Sequence, residues 1–374
     1  MNKFPKSIIL FADSTLLGGA ELSLIEILKQ FSEWGINSYL VTTRKGELFD
    51  EFKKHTKQQL ILPFPYPTKL ASWVHYWPFK RKVSRFINAI PGSKVILVGD
   101  LYPLWAALQV RKQTNSPVYS IFQGEYVFED DSCPRKWIRY GANLADKLLA
   151  SEPICAHINP LKLINKTVEC LNPKVDLSRF NRNLYNRDEI RRELGFSSTD
   201  RLAICVGQIG IPKGQPWLAE QFLKNPSLYD NWHLLIVGPM RNEEDQVFFE
   251  NLKLNDKTNR LHLLGLRKDI PELYVASDLA LFAGTINESF GLAVVEAAIM
   301  GLPIFALKSG SIPYNLGEDY SGLFSKDNKD RLIKAWSNLT SEDNDRLKSE
   351  IDIEKLRSRL SEETWRLNLR KVFI

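Results

Sequence analysis

Two carboxylates, Glu288 and Glu296, stand eight positions apart in residues 287–303, which read NESFGLAVVEAAIMGLP. On a helix this separation is just over two turns, so both carboxylates would lie near one face. Residues 289–292 would then form the loop and first turn between them. Free N–H groups at a helix N-terminus bind phosphate, and a carboxylate accepts hydrogen bonds from sugar hydroxyls. The stretch therefore predicts a phosphate-binding turn flanked by two sugar-binding acids.

A surface helix that carries two solvated glutamates is the competing interpretation of this stretch. It would be preferred for a pair of glutamates alone. The complete string favours a ligand site, because Gly291 lets the backbone approach a ligand closely and Gly301-Leu302-Pro303 closes the stretch.

Two other glycine-containing loops follow apolar runs. Residues 206–214 read VGQIGIPKG, and Lys213 taken alone would be an ordinary surface lysine in a turn. Residues 17–21 read LGGAE and taken alone would make a tight strand-to-helix turn. The second loop is not G-x-G-x-x-G, and no clear acidic ribose ligand follows about 20 residues later, which excludes a dinucleotide-binding interpretation.

The elements that position these loops alternate between strands and helices. In the first half, Ser7–Ala12 is a predicted strand, Leu22 to Phe31 have helical spacing up to Gly35, and Ile36–Thr43 is a β-branched strand. This βαβ unit implies a parallel sheet with a right-handed crossover. Four more strands are predicted in this half: Gln59–Leu62, Val95–Val98, Val118–Phe122 and Lys147–Ala150.

The second half has the same alternation. Its predicted strands are Ala203–Val206, His233–Val237, Leu261–Leu264, Leu279–Phe282 and Pro303–Phe305. Its predicted helices run through Phe222 and over Glu243–Leu254, Pro271–Ala276 and Glu288–Ala298. In open parallel sheets, ligands bind beyond the carboxyl ends of the strands, and two such sheets facing each other make a cleft.

The length of 374 residues fits two α/β domains, and residues 171–187, rich in Asn, Asp and Arg, lack a sustained period and mark the boundary. We predict an N-terminal domain over 1–178 and a C-terminal domain over 179–355, each a Rossmann-like parallel sheet.

The motifs resemble those of the retaining GT-B glycosyltransferases, the large group 1 family that includes sucrose synthases and bacterial mannosyltransferases. Residues 288–297 match the family pattern E-(S/G)-F-G-L-x-x-x-E-A. Residues 206–214 resemble its V-G-R-(x)4-K-G loop, and residues 17–21 resemble its first glycine-rich loop. Residues 235–238, 262–269 and 270–281 also fit in the expected order. The resemblance implies an α/β GT-B fold whose two domains face each other across a cleft.

The resemblance also implies roles for residues of this chain. Lys213 and Glu288 would be catalytic: Lys213 would neutralise the donor diphosphate and Glu288 would contact the transferred sugar. Glu296 would hold the ribose. The other implied donor-binding positions are Gly18, Gly19, Gln208, Arg267, Ser289, Phe290, Gly291 and Leu292.

The chain departs from the family pattern at two positions. Gln208 replaces the arginine of the V-G-R loop, so a hydrogen-bond donor without charge stands there. Gln123 replaces a histidine that the family often places in the acceptor site, and glutamine is not a base. Front-face attack, in which the departing phosphate takes the acceptor proton, does not require that base. Asp100 and Glu125 are alternative polar acceptor-site residues near strand ends, or solvated turn residues.

A cofactor is not expected, and neither is a metal. The acidic run Glu129-Asp130-Asp131 lies in the acceptor half, and family members use helix dipoles and lysine in place of a metal. The five histidines lack ligand spacing. The four cysteines also lack it, so we expect each to fill space as a small apolar residue in a reducing compartment.

The formal net charge of +6 favours anionic partners only weakly. The run Ser7–Ala12, closed by Asp13, is shorter than a secretory or membrane-spanning segment, which predicts a cytoplasmic protein. Residues 73–82 mix aromatic and basic side chains, which suits peripheral docking on an anionic membrane at the inner face or, alternatively, a helix with an aromatic core face. Elsewhere the sequence lacks a basic stripe with stacked aromatic residues, so nucleic-acid binding is not predicted.

These observations predict a retaining, metal-independent transferase. It would move a hexose or N-acetylhexosamine from a UDP- or GDP-sugar to a glycan or lipid-linked acceptor, in polysaccharide or glycoconjugate synthesis. The alternatives are another GT-B enzyme, such as an epimerase or phosphorylase, and a catalytically degenerate sugar-nucleotide-binding or scaffold protein. The resemblance further implies that residues 356–374 form a helix that crosses back to the N-terminal domain.

Overall fold

The structure is a computed structural model that describes residues 4–16, 18–65, 76–100, 103–122, 140–161, 166–229 and 231–373, without the side chains of 157–161 and 228. The chain divides into two compact units, one of residues 1–174 and 363–374 and the other of residues 175–362. The domain ends predicted at 178 and 355 lie near these limits.

The first unit is built on a parallel sheet whose described strands have the order β3-β2-β1-β4-β5-β6-β7. Buried parallel strands are continuous apolar runs, and β1 is buried at every position. The strands are β1 Ser7–Ala12, β2 Asn37–Thr42, β3 Gln59–Ile61, β4 Lys94–Val98, β5 Val118–Phe122, β6 Lys147–Ala150 and β7 Glu169–Cys170.

Helices cover both faces of this sheet. Because side chains alternate along a strand, Ile9 and Phe11 enter one apolar cluster and Ile8 and Leu10 enter another. The helices of this part are α1 Gly19–Glu33, α2 Phe49–Lys54, α3 Tyr76–Ala89, α4 Leu104–Thr114 and α5 Glu152–Leu161.

The second unit contains another parallel sheet, of order β10-β9-β8-β11-β12-β13 among its described strands. Its strands are β8 Arg201–Val206, β9 Trp232–Val237, β10 Leu261–Gly265, β11 Leu279–Phe282, β12 Ile304–Leu307 and β13 Leu323–Phe324. Its helices are α6 Arg187–Glu193, α7 Gln215–Lys224, α8 Glu243–Asn255, α9 Ile270–Ala276, α10 Leu292–Ile299, α11 Ile312–Leu316, α12 Asp330–Ser337, α13 Ser341–Ser349 and α14 Ile353–Arg359.

The last helix, α15 Glu362–Phe373, packs on the first unit. Leu369 and Trp365 enter the apolar cluster of β1 and α1, and the Phe373 ring centroid lies 4.9 Å from that of Phe31. The Lys147 ammonium donates to the Val372 carbonyl at 2.5 Å. These contacts complete one face of the first sheet with a segment that is distant in sequence.

Three details of the elements differ from the sequence expectation. The two-residue strands β7 and β13 were not predicted, because two residues carry no period. The helix expected over Glu288–Ala298 begins only at Leu292, since Gly291 has φ 73° and the chain before it is a loop. Cys170 is exposed, so it does not fill space in a core.

No helix among the described residues is long and apolar enough to cross a membrane.

Candidate functional site

The two loops of interest in the second unit leave neighbouring strands. Strand order reverses between β8 and β11, which are paired in the sheet. The loop 207–214 follows β8 and the loop 283–291 follows β11, so both start at the carboxyl edge of the sheet at its topological switch point. The backbone N–H of Thr285 donates to the carbonyl of Pro212 at 3.1 Å and joins the loops directly.

Loop 207–214 is shaped by two features. Gly214 has φ 80°, and a Cβ there would lie 2.1 Å from the Ala283 carbonyl oxygen, so only glycine fits against the neighbouring loop. The buried Gln215 amide accepts from Gly210 N–H and donates to the Gln208 carbonyl, both at 3.3 Å. Lys213 is the last residue of the short 3-10 turn Ile211–Lys213 in this loop, which the Gln215 hydrogen bonds hold in place.

The ammonium of Lys213 forms an ion pair with the carboxylate of Glu288, which lies in the second loop. Both side chains are partly exposed, at 33% for Lys213 and 21% for Glu288. The pair joins residues that are 75 positions apart in the chain. A cation and an anion, each with an accessible face, therefore stand together at the switch point.

The backbone of Glu288 is fixed by the segment after β12. The Ser311 N–H donates to the Glu288 carbonyl at 2.8 Å. Gly310, with φ 54°, packs so closely that a Cβ there would lie 2.3 Å from that carbonyl oxygen. Glu288 is thus held in a loop, and the expectation that it shares a helix face with Glu296 is wrong.

The turn 289–292 leads from Glu288 into helix α10. Phe290 is buried, and its carbonyl accepts from the Asn315 amide at 2.5 Å. Gly291 is the left-handed N-cap, and no side chain caps this helix N-terminus. Backbone N–H groups in the first turn of a helix have no intrahelical partner, so this turn can donate to an anion.

Glu296 lies one turn farther along α10 and is partly buried. Burial raises the pKa of its carboxyl to about 8, and the charge of Arg179 opposes that shift. The guanidinium of Arg179 donates to the Lys268 carbonyl in the loop after β10. The surroundings of Glu296 therefore disfavour its ionised form.

Arg267 and Gln208 occupy the flanks of this region. The Arg267 guanidinium is engaged with the Asp269 carboxylate, with Nε to Oδ1 at 2.8 Å. Gln208 is exposed, and its backbone carbonyl accepts the hydrogen bond from the Gln215 amide in loop 207–214. The structure therefore brings Lys213, Glu288 and the 289–292 turn together, with Arg267 already paired to a carboxylate.

The remaining predicted residues belong to the first unit. Gly18 caps α1 and Gly19 begins it, in the loop after β1, while Asp100 follows the neighbouring strand β4. Gln123 and Glu125 lie outside the described residues, as does the run 129–131.

Sequence reasoning passed over Glu21. Burial raises the pKa of its carboxyl, and the charges of Asp100 and Asp13 raise it further, against an opposing hydrogen bond from its own backbone. The position of Glu21 in the LGGAE loop, where its carboxylate lies against Gly18, could have indicated this residue. Three acids thus gather at the switch point of the first sheet.

Comparison with known proteins identifies the second unit. Residues 186–363 match the family model described as glycosyl transferases group 1. The N-acetyl-alpha-D-glucosaminyl L-malate synthase of Bacillus anthracis is 27% identical over 194 residues, which is 50% of this chain and 48% of that protein. A UDP-Gal:alpha-D-GlcNAc-diphosphoundecaprenol alpha-1,3-galactosyltransferase of Escherichia coli is 25% identical, over 55% of this chain and 54% of that protein. The matches span about half the length of these relatives.

Solved structures match over nearly the whole chain. Anabaena HepE in complex with UDP has a TM-score of 0.75 at 19% identity, and 98% of each chain is covered. The sucrose-phosphate synthase of Thermosynechococcus elongatus has a TM-score of 0.77 at 16% identity, again over 98% of each chain. The predicted family resemblance and the two Rossmann-like domains are confirmed. The chain has the GT-B fold, and its residues 186–363 form a domain of the glycosyl transferases group 1 family.

Proposed function

We propose that this protein is a retaining, metal-independent glycosyltransferase that moves a hexose or N-acetylhexosamine from a UDP- or GDP-sugar. The observation that carries the proposal is the Lys213–Glu288 pair beside the 289–292 turn. This pair and turn combine a cation, the backbone N–H groups that begin α10 and an acid able to accept sugar hydroxyls, at the carboxyl edge of a parallel sheet. The UDP bound by HepE supports a nucleotide diphosphate as the ligand class.

In the proposed mechanism, the donor diphosphate replaces Glu288 as the partner of Lys213. Charge that develops on the leaving phosphate is then stabilised by the Lys213 ammonium and by the N–H groups that begin α10. Glu288, released from Lys213, accepts hydrogen bonds from hydroxyls of the transferred sugar. The positive charge needed at the diphosphate comes from the protein itself, which supports metal independence.

For the transfer step, we propose front-face attack by the acceptor hydroxyl on the anomeric carbon. The bond from that carbon to the phosphate oxygen breaks, and the departing phosphate takes the hydroxyl proton. The sugar therefore keeps its anomeric configuration. We assign the ribose hydroxyls to Glu296 and the acceptor side to the unit that carries Asp100. The donor contacts of Gly18, Gly19, Gln208 and Arg267 stay predictions, as do the acceptor contacts of Gln123 and Glu125.

Thermal-shift measurements with a panel of nucleotide sugars, followed by donor hydrolysis and transfer assays, test the function. We expect one nucleotide sugar to raise the melting temperature and to be turned over. Changing Lys213 to Ala should slow turnover by roughly 100-fold, in the range of one lost stabilising donor. Lys224→Ala, at the exposed end of α7, is the matched control and should leave turnover unchanged.

A catalytically degenerate binding or scaffold protein is the second candidate, favoured by the uncharged Gln208. It would bind a nucleotide sugar with no hydrolysis and no transfer to any glycan or lipid-linked acceptor offered. A Lys213→Ala variant with parental kinetics would reject the site assignment itself.

We also propose that α3 docks on an anionic membrane at the cytoplasmic face, where a lipid-linked acceptor would be reached. Its buried side carries Phe79, Val83 and Ile87. Its other side presents Trp77, which is 71% exposed, around a surface cavity also lined by Pro78, Arg81, Lys82 and Arg85. An exposed tryptophan among cations suits a membrane interface.

Flotation with vesicles that contain anionic phospholipid tests docking. Neutralising Arg81, Lys82 and Arg85 together should abolish co-flotation, whereas neutralising the exposed Lys53, Lys54 and Lys57 of the same unit should not. Failure of the parent protein to float, or flotation unchanged by the α3 substitutions, would reject docking. Residues 73–75 of the predicted segment lie outside the described residues.

A further inference from the structure

Two thiols meet at the edge of the first sheet. Cys170 ends β7, the edge strand, which pairs with β6 so that Ala150 stands opposite Cys170. Only Ser151 separates β6 from α5, and Cys155 is the fourth residue of that helix. The short connection folds the start of α5 back over the end of β6, next to β7.

The contacts around Ala150 bring Cys155 and Cys170 next to each other. The Ala150 carbonyl accepts the backbone N–H of Leu171 at 2.7 Å and lies 3.5 Å from Cys155 Sγ. One carbonyl therefore contacts both the Cys155 thiol and the residue that follows Cys170. Ala150 and Cys155 belong to the same apolar cluster, and Cys170, paired with Ala150, faces the same side of the sheet.

The environments of the two sulfurs are unequal. Cys155 is 3% exposed, whereas Cys170 is exposed. The interaction with Cys155 lowers the pKa of Cys170, against burial and the charge of Glu152, and the same interaction together with burial raises the pKa of Cys155. An accessible thiol with enhanced thiolate character beside a buried partner is the arrangement found in redox-sensitive cysteine pairs.

We propose that Cys155 and Cys170 form a peroxide-sensitive dithiol site that closes to an intramolecular disulfide. Cys170 thiolate attacks one oxygen of hydrogen peroxide, an S–O bond forms, the O–O bond breaks, and the leaving hydroxide is protonated to water. Cys155 then attacks the Cys170 sulfenic acid. The S–S bond forms, the S–O bond breaks, and the proton from the Cys155 thiol leaves with the hydroxide as a second water.

The disulfide would fasten α5 to the edge strand β7. Two thiols are oxidised by two electrons and one peroxide is reduced to two waters, so no further reactant is needed. The site belongs to the first unit and the Lys213–Glu288 pair to the second, and the proposal does not depend on the proposed transferase activity.

Intact-mass measurement and peptide mapping of the folded full chain treated with hydrogen peroxide test this site. We expect the protein to lose the mass of two hydrogen atoms and two of its four titratable thiols, and dithiothreitol to restore both. Under non-reducing conditions, trypsin should release peptides 148–162 and 167–174 joined by one disulfide.

Single substitutions separate the site from general thiol oxidation. Cys170→Ser should abolish the loss of two hydrogens, and Cys155→Ser should leave Cys170 to gain oxygen atoms. Cys205→Ser, at a buried cysteine of the other unit, is the matched control and should form the disulfide as the parent does. Oxygen addition at Cys170 without a disulfide in the parent, or a disulfide that involves Cys133, would overturn the proposal.

Discussion

At the residue scale, Glu296 has an environment far from that of an ordinary carboxylate. Burial raises its pKa from 4.5 to about 8, so folding favours the protonated form. Its contribution to stability is fully present below pH 4.5 and is lost as pH rises through about 8. The protein therefore keeps a carboxyl group that is costly to ionise.

Changing Glu296 to Gln should have opposite effects on stability and on binding. We expect the variant to be more stable than the parent by on the order of 1–3 kcal/mol at pH 8 and equal to it near pH 5, because the buried ionisation is removed. Its affinity for the nucleoside diphosphate should fall about tenfold or more, since an amide accepts the ribose hydroxyls less strongly. Urea denaturation and calorimetric titration at the two pH values measure both effects.

The parent should also release protons when it binds the nucleotide near pH 7, as the ribose hydroxyls favour the ionised carboxylate. Titration in buffers of different ionisation enthalpy detects this release, and Glu296→Gln should lack it. Glu244→Gln, at an exposed position of α8, should behave as the parent. Equal proton release in parent and Glu296→Gln would contradict the ribose assignment.

At the element scale, the loop that carries Glu288 depends on a neighbouring glycine. Gly310→Ala would put a Cβ 2.3 Å from the Glu288 carbonyl oxygen in a left-handed conformation, so the Glu288 backbone must move. We expect nucleotide-sugar affinity to fall at least about tenfold, which corresponds to about 1.4 kcal/mol. Calorimetric titration of the folded variant with the preferred donor measures the loss.

Gly301 provides the control for this prediction. It has a similar φ of 71°, and a Cβ there would meet nothing within 4 Å. Gly301→Ala should cost about 1 kcal/mol of stability from the left-handed conformation while leaving donor affinity unchanged. Equal affinities of the two alanine variants would show that Gly310 does not position Glu288.

The edge of the second sheet contains a pair of histidines on β9 and β10. His233 Nδ1 and His262 Nε2 are 3.0 Å apart, and the Phe196 ring lies 5.2 Å from that of His262. Burial, then the charges of His233 and Lys253, lower the pKa of His262 from 6.5 to about 4, against Asp256. Between these pH values the unfolded chain binds a proton that the folded sheet excludes.

The second unit should therefore lose stability on acidification. The contribution of His262 is present above pH 6.5 and is lost as pH falls through about 4. We expect His262→Gln to reduce the pH dependence of unfolding by on the order of 2–3 kcal/mol over this interval. Urea titrations at pH 4.5 and 7 measure it, with His55→Gln in the other unit as control. An unchanged slope in His262→Gln would contradict this assignment.

How much of the structure the sequence predicts also differs from element to element. Strands such as Ser7–Ala12 and Leu279–Phe282 were predictable because a buried parallel strand is one continuous apolar run. The start of α10 was not, since only the conformation of Gly291 shows that the helix cannot begin earlier. Two motifs of the sequence, residues 206–214 and 288–297, indicated Lys213 and Glu288, but their ion pair joins separate loops and needs the sheet order.

Residue pairs that form only through strand pairing could not be predicted from the sequence, for the same reason. His233 and His262 are 29 positions apart and have no ligand spacing, yet β9 and β10 bring their rings together. Cys155 and Cys170 meet because a two-residue edge strand lies beside the start of α5. No periodicity in the chain announces such a short strand.

At the scale of the whole molecule, α15 stabilises the unit built from the beginning of the chain. Leu369 is fully buried in the cluster of β1 and α1, so Leu369→Ala should cost about 2–5 kcal/mol in that unit. Leu367, 51% exposed on the same helix, is the matched control and should cost less than about 0.5 kcal/mol as alanine.

Hydrogen exchange during urea unfolding assigns the loss to one unit. In Leu369→Ala, we expect amides of β1 and β4 to lose protection, while amides of β8 and β11 keep theirs. Equal loss of protection in both sheets would show that α15 does not act on the first unit alone. No loss in either sheet would show that Leu369 does not stabilise the first unit.

Residues 175–362 form an uninterrupted segment between the two parts of the other unit. A ribosome therefore delivers nearly all of this segment before it delivers α15. The second unit can therefore complete its fold first, while the first sheet still lacks the apolar contacts that α15 adds to those of α1 and α2. The unit whose synthesis starts first can therefore be the one whose fold is completed last.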